Sequence, residues 1–497
     1  MNLNLRCVKF SKRIVLIQIP SAQDERMFIQ KIPFYNPRAA FQLFAEDSHA
    51  TLLDGSTAPD GSGVTTIAIN PKHIVTATRK GVFVQGIQDA EDDPFAVIER
   101  IWKQHRKSHE NNSIVVPFTG GVVGAFGYEL GNYLERLPEQ KADLIDLPLL
   151  SLGVYETVIA FDHGSHQAWI ISHAADAAEV AKRLARRLKN VRHVDMDIDW
   201  RITATWQAEQ SRSEIEDKIQ RVIDYIHAGD IFQANYTQRF MADRPSCLSD
   251  YEIYLRLCAL SPAPFSSFMR CGDVSLASAS PERFIKLSAK GVLQTQPIKG
   301  TRRRDNDPRR DAELADELRR SAKDNAENLM IVDLMRNDLG RVAEIGSVHV
   351  PSLNKLETFS SVHHLVSTVE AQLRYGLNPI DVLRAIFPGG SISGAPKIRA
   401  MEIIRELEPA PRGFYCGCMG WIGFDGAMDM SMTIRTLTMT RDTIVAQAGG
   451  GIVADSNPSA EYEESMIKIA PLLLALTAEG MTNEEENDCQ FERQIGG

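Results

Sequence analysis

Gln296-Pro297-Ile298-Lys299-Gly300-Thr301 closes a run, Lys290 to Gln296, whose residues alternate like a strand. Proline before the lysine and glycine after it fix the backbone turn, and the glycine leaves room for a ligand against the main chain. A lysine held this way is either an ordinary surface lysine or a nucleophile. It can be the second only where burial or a neighbouring charge lowers its pKa. The stretch alone does not choose between them.

The chain has 497 residues, 43% hydrophobic and 24% charged, the balance of a globular enzyme. Its length allows two or three domains, or one large α/β-type unit with an extra lobe. A net charge of -10 argues against nucleic acid or an acidic membrane as the main partner. Seven cysteines without paired spacing fit a reducing cytoplasm. Cys416 and Cys418, in an apolar strand-like run, would point to opposite faces and read as structural. The basic start, Met1 to Pro20, has too short an apolar run for a signal peptide, and no segment has the length of a membrane span. A cytoplasmic location is expected.

Residues 1–195 form a mixed N-terminal lobe. Strands are expected at Thr65–Asn70, His73–Thr78, Gly153–Phe161 and Gln167–Ser172, with helices at Asp93–Lys107 and Asp176–Leu188. Glycines 121, 124 and 127 suit closely packed backbones or bulged strands. Arg192 to Glu209 reads as a boundary.

A second unit, residues 210–472, opens on a helix with a capping box at Ser213 and Glu216 and a stripe of Ile215, Ile219, Val222, Ile223 and Ile226. The strand Ile231–Phe240 follows, with Gln233, Asn235 and Thr237 on one face. Charges of both signs from Arg302 to Lys323 read as a salt-bridged, solvated helix rather than a phosphate site. Further helices are expected at Asp324–Met335, Pro379–Phe387, Pro396–Glu406 and Pro458–Leu476. Strands are expected at Gly417–Phe424, Met430–Met439 and Thr443–Ala448. Residues 477–497 form an acidic tail expected to be disordered.

Two carboxylate pairs stand out. Asp324 and Glu327 are three apart on one helix, and so are Glu461 and Glu464 on another, which Asn457-Pro458 starts. Lys468 extends the second face. These are either two solvated acidic faces or, if brought together, donors for a hard cation such as Mg²⁺. Gly449 to Ala454 matches a dinucleotide G-x-G-x-x-A only in part, because Asp455 to Pro458 delays the helix such a site needs.

Six blocks then fall in one order: Ser280-Pro-Glu-Arg-Phe284, Pro297-Ile-Lys-Gly-Thr301, Ala326-Glu-Asn-Leu-Met-Ile-Val-Asp-Leu334, Phe387-Pro-Gly-Gly-Ser-Ile-Ser-Gly-Ala-Pro-Lys397, Ile434-Arg-Thr436 and Ala448-Gly-Gly-Gly-Ile-Val-Ala-Asp-Ser456. Together they resemble the chorismate-utilising enzymes, the family that makes anthranilate, isochorismate, salicylate and aminodeoxychorismate. The resemblance implies an α+β fold of two antiparallel β-sheets packed together with helices outside. Anthranilate synthases have alanine where this chain has Lys299, and the isochorismate and salicylate enzymes have a water-activating lysine where it has Gln233. Both differences imply amination of chorismate at C4, with anthranilate formation as the alternative.

The resemblance also implies roles. Glu282 would be the general acid, Lys299 a nucleophile at C2, and His364 a neighbour of the departing hydroxyl. Gly300 and Thr301 would flank the ring carboxylate, and Tyr415 and Arg435 the enolpyruvyl carboxylate, with Lys468 and Gln233 also at the substrate. Mg²⁺ would be held by Glu327 and Glu464 directly and by Asp324 and Glu461 mainly through waters. Asp324 is one methylene shorter than the family's usual glutamate. Cys247, Cys258 and Cys271 lack a glutaminase context, so ammonia is expected from a separate glutamine amidotransferase subunit. A separate lyase would complete 4-aminobenzoate for folate synthesis. A nucleophilic Lys299 must be neutral, so its pKa is expected below the ordinary lysine value of about 10.4.

Overall fold

The structure is a computed structural model that describes residues 27–477 apart from 59–60, 108–115, 140, 144, 193–203 and 360–361, together with the backbone of 9–10 and 13–14. The expectations for the start of the chain, for most of the boundary segment and for the acidic tail lie outside the described residues.

Two twelve-stranded antiparallel sheets make up the centre. The first runs from Ile298–Arg303 through Val362–Gln372, Val292–Thr295, Arg283–Leu287, Met428–Met432 and Cys418–Gly423 to Gly121–Phe126, Leu150–Tyr155, His73–Thr78 and beyond. The second runs from Gln207–Ala208 through Gln233–Asp243, Thr443–Ile452, Thr436–Met439, Val274–Ser280 and Phe265–Cys271 to Thr51–Asp54, Val64–Ala68, Thr157–Asp162, Gln167–Ser172 and Phe28–Ile32. Each sheet therefore takes strands from both halves of the chain. The junctions are Gly121–Phe126 beside Cys418–Gly423 and Thr51–Asp54 beside Phe265–Cys271.

Val123, Ala125 and Met419 of the first sheet meet Val158, Ile171, Met269 and Leu276 of the second in an apolar layer between them. Helices cover the outer faces. Pro94–His105, Ala322–Gly340 and Pro379–Ile386 pack on the first sheet, and Asp250–Leu260 and Pro458–Leu474 on the second. This is the expected α+β arrangement. Gly121 and Gly124 are there for close approach: a Cβ would lie 2.1 Å from the Ile422 carbonyl oxygen at the first and 2.3 Å from that of Ser151 at the second. No helix among the described residues is long and apolar enough to cross a membrane.

Three local expectations are corrected. The capping box is Ser211 with Glu214, not Ser213 with Glu216, and the helix is Arg212–His227. The sequence offers two overlapping boxes, and the earlier one starts the helix sooner while Ile215, Ile219, Val222 and Ile223 stay buried. Gly153–Phe161 is two strands, Leu150–Tyr155 and Thr157–Asp162, which belong to different sheets. Met430–Met439 likewise divides into Met428–Met432 and Thr436–Met439, with Arg435 at a left-handed φ of 51° in the crossing. Both runs are apolar on each side of the crossing, and the one charged residue at each, Glu156 and Arg435, reads equally well as a polar position within a single strand.

Candidate active site

Lys299 lies on the strand at one end of the first sheet. Its register slips there: Lys299 opposes Leu365 while Thr301 opposes His364, so Gly300 is the extra residue of a bulge. Gly300 has φ 75°, a conformation side chains resist, and a Cβ would come within 3.0 Å of Asp324. The bulge therefore brings backbone against the first carboxylate helix, Ala322–Gly340, whose start is capped by Ser321.

Lys299 Nζ donates to Glu327 Oε1 at 2.6 Å, and Gln233 Nε2 reaches the same oxygen at 3.2 Å. One strand from each sheet thus converges on one carboxylate. Burial disfavours the charge on Lys299, but Glu327, then Glu282 and Glu464, outweigh it and hold the ammonium above its ordinary value. This differs from the lowered pKa expected from sequence. The physical reason is the surplus of carboxylates around the amine.

Glu282 is buried, and burial pushes its carboxyl up to about 7, against the pull of Ser391 and Lys299. Ser391 Oγ donates to Glu282 Oε1 at 2.9 Å. His364 is buried and neutral, its pKa lowered to about 4 by desolvation. Its Nδ1 lies 2.9 Å from Thr301 Oγ1 and 3.4 Å from the Gly300 carbonyl oxygen, which leaves Nε2 as the acceptor nitrogen. Arg435 is coupled electrostatically to His364 and to buried Tyr415.

The four carboxylates each hold a cation of the chain. Glu327 pairs with Lys299, Glu464 with Lys468 at 2.7 Å, Asp324 with Arg302 at 3.4 Å and Glu461 with Lys323 at 3.8 Å. Lys468 also donates to the Gly449 carbonyl at 3.1 Å. Among the described residues no three His, Cys, Asp or Glu side chains are gathered tightly enough to hold a metal. The two helices nonetheless face one another, since Lys323 of the first reaches Glu461 of the second at 3.8 Å.

The surroundings fit a hard cation in two respects. A Cβ at Gly451 would lie 3.2 Å from Glu327 Oε1, and one at Gly450 3.3 Å from Glu461 Oε2, so bare backbone floors the acidic space. Gln233 Oε1 is buried without a hydrogen-bond donor among the described residues. Gly449–Gly451 lie inside the strand Thr443–Ile452, not in a phosphate-binding turn.

Ser391, in the block Phe387–Lys397, and Arg302 and Lys323, the partners of Asp324 and Glu461, are site residues that the sequence does not single out. The signal for the last two is the charge alternation around Arg302–Lys323. Much of that alternation does form a salt-bridged, solvated helix, with Arg304–Asp311, Arg310–Glu313 and Arg319–Asp316 pairs on and beside the helix Pro308–Arg320.

The model of the chorismate binding enzyme family matches residues 49–474. Aminodeoxychorismate synthase component 1 of Salmonella typhimurium is 46% identical over 383 residues, covering 77% of this chain and 82% of the relative. The protein of the same name from Escherichia coli is 45% identical over 387 residues, covering 78% and 83%. Anthranilate synthase component 1 of Thermus thermophilus is 42% identical over 403 residues, covering 80% and 86%. Among solved structures, anthranilate synthase component I from Streptococcus pneumoniae superposes with a TM-score of 0.73 at 28% identity, covering 94% of this chain and 95% of that one.

Proposed function

This chain belongs to the chorismate-binding enzymes, and from that premise we propose that it aminates chorismate at C4 to 4-amino-4-deoxychorismate, with Lys299 as covalent nucleophile. The observation that carries the reading is a half-buried lysine within electrostatic reach of a buried acid whose pKa is raised to about 7. An acid in that range can be protonated before reaction and ionised after it.

Glu282 gives its proton to the C4 hydroxyl, so that water departs rather than hydroxide. The neutral Lys299 amine bonds to C2, the ring double bonds shift toward C4 as the C4–O bond breaks, and the nitrogen sheds its extra proton. Ammonia then bonds to C4, the double bonds shift back, the C2–N bond breaks, and Lys299 leaves with a proton. Anything that draws Glu327 away from Nζ lowers the lysine's pKa and frees its amine.

Neutral His364, fixed by Thr301 and Gly300, presents Nε2 near the departing hydroxyl. Arg435 and Tyr415 bind the enolpyruvyl carboxylate, a planar anion suited to a guanidinium. Mg²⁺, held by Glu327 and Glu464 directly and by Asp324 and Glu461 through waters, would neutralise the ring carboxylate of the substrate. A glutamine amidotransferase subunit would deliver the ammonia.

The test is purified chain with chorismate, Mg²⁺ and an ammonium salt, the product identified by chromatography and mass. 4-Amino-4-deoxychorismate is expected, and fluorescent anthranilate as sole product overturns the reading. Trapping a mass adduct on Lys299 tests the covalent route separately.

A further inference from the structure

The block Phe387–Lys397 supplies a side chain that the reaction above leaves without a role. Ser391 sits in the tight turn Gly390–Ile392, which reaches over Glu282. That turn is fixed from several sides. A Cβ at Gly390 would lie 2.3 Å from Leu334 Cδ2 and 2.8 Å from Met335 Cε, so the turn is wedged against the first carboxylate helix. A Cβ at Gly389 would lie 2.8 Å from Met432 Cε on the other side. Ser393 Oγ donates to the Gly389 carbonyl at 2.8 Å, Arg412 Nη1 to that of Ile392 at 2.8 Å, and the Asn235 amide to that of Ser393 at 2.9 Å. Met432, beside the turn, donates its amide to the Glu282 carbonyl at 3.0 Å. Hydroxyl and carboxyl are therefore both held by backbone that has little freedom to move.

We infer that Ser391 is a positioning residue for the proposed acid: its hydroxyl occupies Glu282 Oε1 and reserves Oε2 for the proton that goes to the substrate's C4 hydroxyl. The inference rests on Glu282 being that acid. A carboxyl carries its proton on one oxygen, and an acid whose two oxygens were equally free would present the wrong one in half of its encounters. A donor fixed on Oε1 removes that ambiguity. The same hydrogen bond is stronger to a carboxylate than to a carboxylic acid, so Ser391 also stabilises the anion left after proton transfer. It is the neutral group that opposes the upward push of burial on Glu282, and Lys299 is the charged group that does so.

The experiment is the pH dependence of kcat and kcat/KM for chorismate, with ammonium as nitrogen source and free ammonia held constant at each pH. The unaltered enzyme should lose activity as pH rises through the Glu282 value of about 7. Ser391→Ala should move this alkaline limb upward by about one pH unit, the size of one lost charge-assisted hydrogen bond. It should also lower the plateau kcat about tenfold. Ser391→Cys, close in size but a weak donor, should behave the same way and stands in if the alanine variant fails to fold. Ser391→Thr keeps the hydroxyl and should restore both values.

A limb and plateau unchanged in both the alanine and cysteine variants overturn the inference. So does a lower plateau with an unmoved limb, which is what a purely structural role would give. Glu282→Gln separates the two levels. If it is inactive while the Ser391 variants match the unaltered enzyme, only the inference falls. If it keeps full activity, the acid reading falls and takes the inference with it.

Discussion

The helix Ala322–Gly340 carries two half-buried lysine–carboxylate pairs three turns apart, and they behave in opposite ways. At one end Lys299 meets Glu327 at 2.6 Å, and at the other Lys397 meets Asp338 at 2.7 Å. Exposure is similar, 16% for both side chains of the first pair and 13% and 9% for those of the second. Yet Lys299 is held above its ordinary pKa, while burial takes Lys397 below its own and raises Asp338. The difference lies in the company. Lys299 has Glu282 and Glu464 in addition to Glu327, whereas Lys397 has Asp338 and, more weakly, Glu135, with Arg341 opposing them. Lys397 also donates to the Ile386 carbonyl at 2.8 Å, which ties two helices together. The second pair balances its charge and holds the fold. The first gathers more carboxylates than its own lysine can pair, the others turning to Lys468, Arg302 and Lys323, and a divalent cation would compete with those side chains for them.

The largest expected effect separates the two lysines. Lys299→Ala, assayed with Mg²⁺ present, should lower kcat by about a thousandfold or more, ~4 kcal/mol of transition-state stabilisation, while the protein stays folded. Lys397→Ala leaves Asp338 buried without its partner and should cost about 3–5 kcal/mol of stability in urea denaturation, with activity per folded molecule preserved. Equal losses of stability in the two variants would dissolve the contrast.

Mg²⁺ should sharpen it next. At a hundredfold excess over its dissociation constant, a ligand specific to the folded state adds about 2.7 kcal/mol. Denaturation with and without Mg²⁺ should show such a gain for the unaltered chain, lose it in Glu327→Gln and Glu464→Gln, and keep it in Asp338→Asn. A gain that survives loss of Glu327 would place the cation elsewhere.

The smallest effect concerns the bulge that brings backbone to the acidic end. Gly300→Ala should cost about 1–2 kcal/mol for the left-handed backbone alone, with a further penalty because its Cβ would lie 2.8 Å from Leu318 Cδ1. Gly346→Ala is the control. Its φ is 82° and nothing lies within 4 Å of its added Cβ, so it should show the backbone cost by itself. If the two variants melt alike, the contact at Gly300 is easily relieved.

The charge contrast was only half legible in the sequence. Glu327 and Glu464 could be named because three-residue spacing puts Asp324 and Glu461 on their faces, and because the blocks around Lys299 and Glu282 fall in a recognisable order. Helix starts were legible where one residue does the work, as Asp93 and Asn457 do, each followed by proline. At Ser211 and Ser213 two equal boxes overlapped, and propensity could not rank them. What pairs with what was not legible, because ion pairing depends on which strands meet. Lys299 reaches Glu327 only because one end of each sheet abuts the same helix, and nothing near residue 299 encodes the position of Gln233. The sheet crossings after Tyr155 and Met432 escaped for a related reason. The runs are apolar on either side of each crossing, and the single charged residue at each, Glu156 and Arg435, does not by itself tell a crossing from a polar position within one strand.

The shared sheets carry a further consequence. Between residues 192 and 207 the sequence looks like a natural place to cut, but neither piece would have a finished boundary. The first would expose Gly121–Phe126 and Thr51–Asp54, and the second Cys418–Gly423 and Phe265–Cys271, each with a row of unpaired amides and carbonyls that invites any passing strand. Each piece covers the open strand edges of the other.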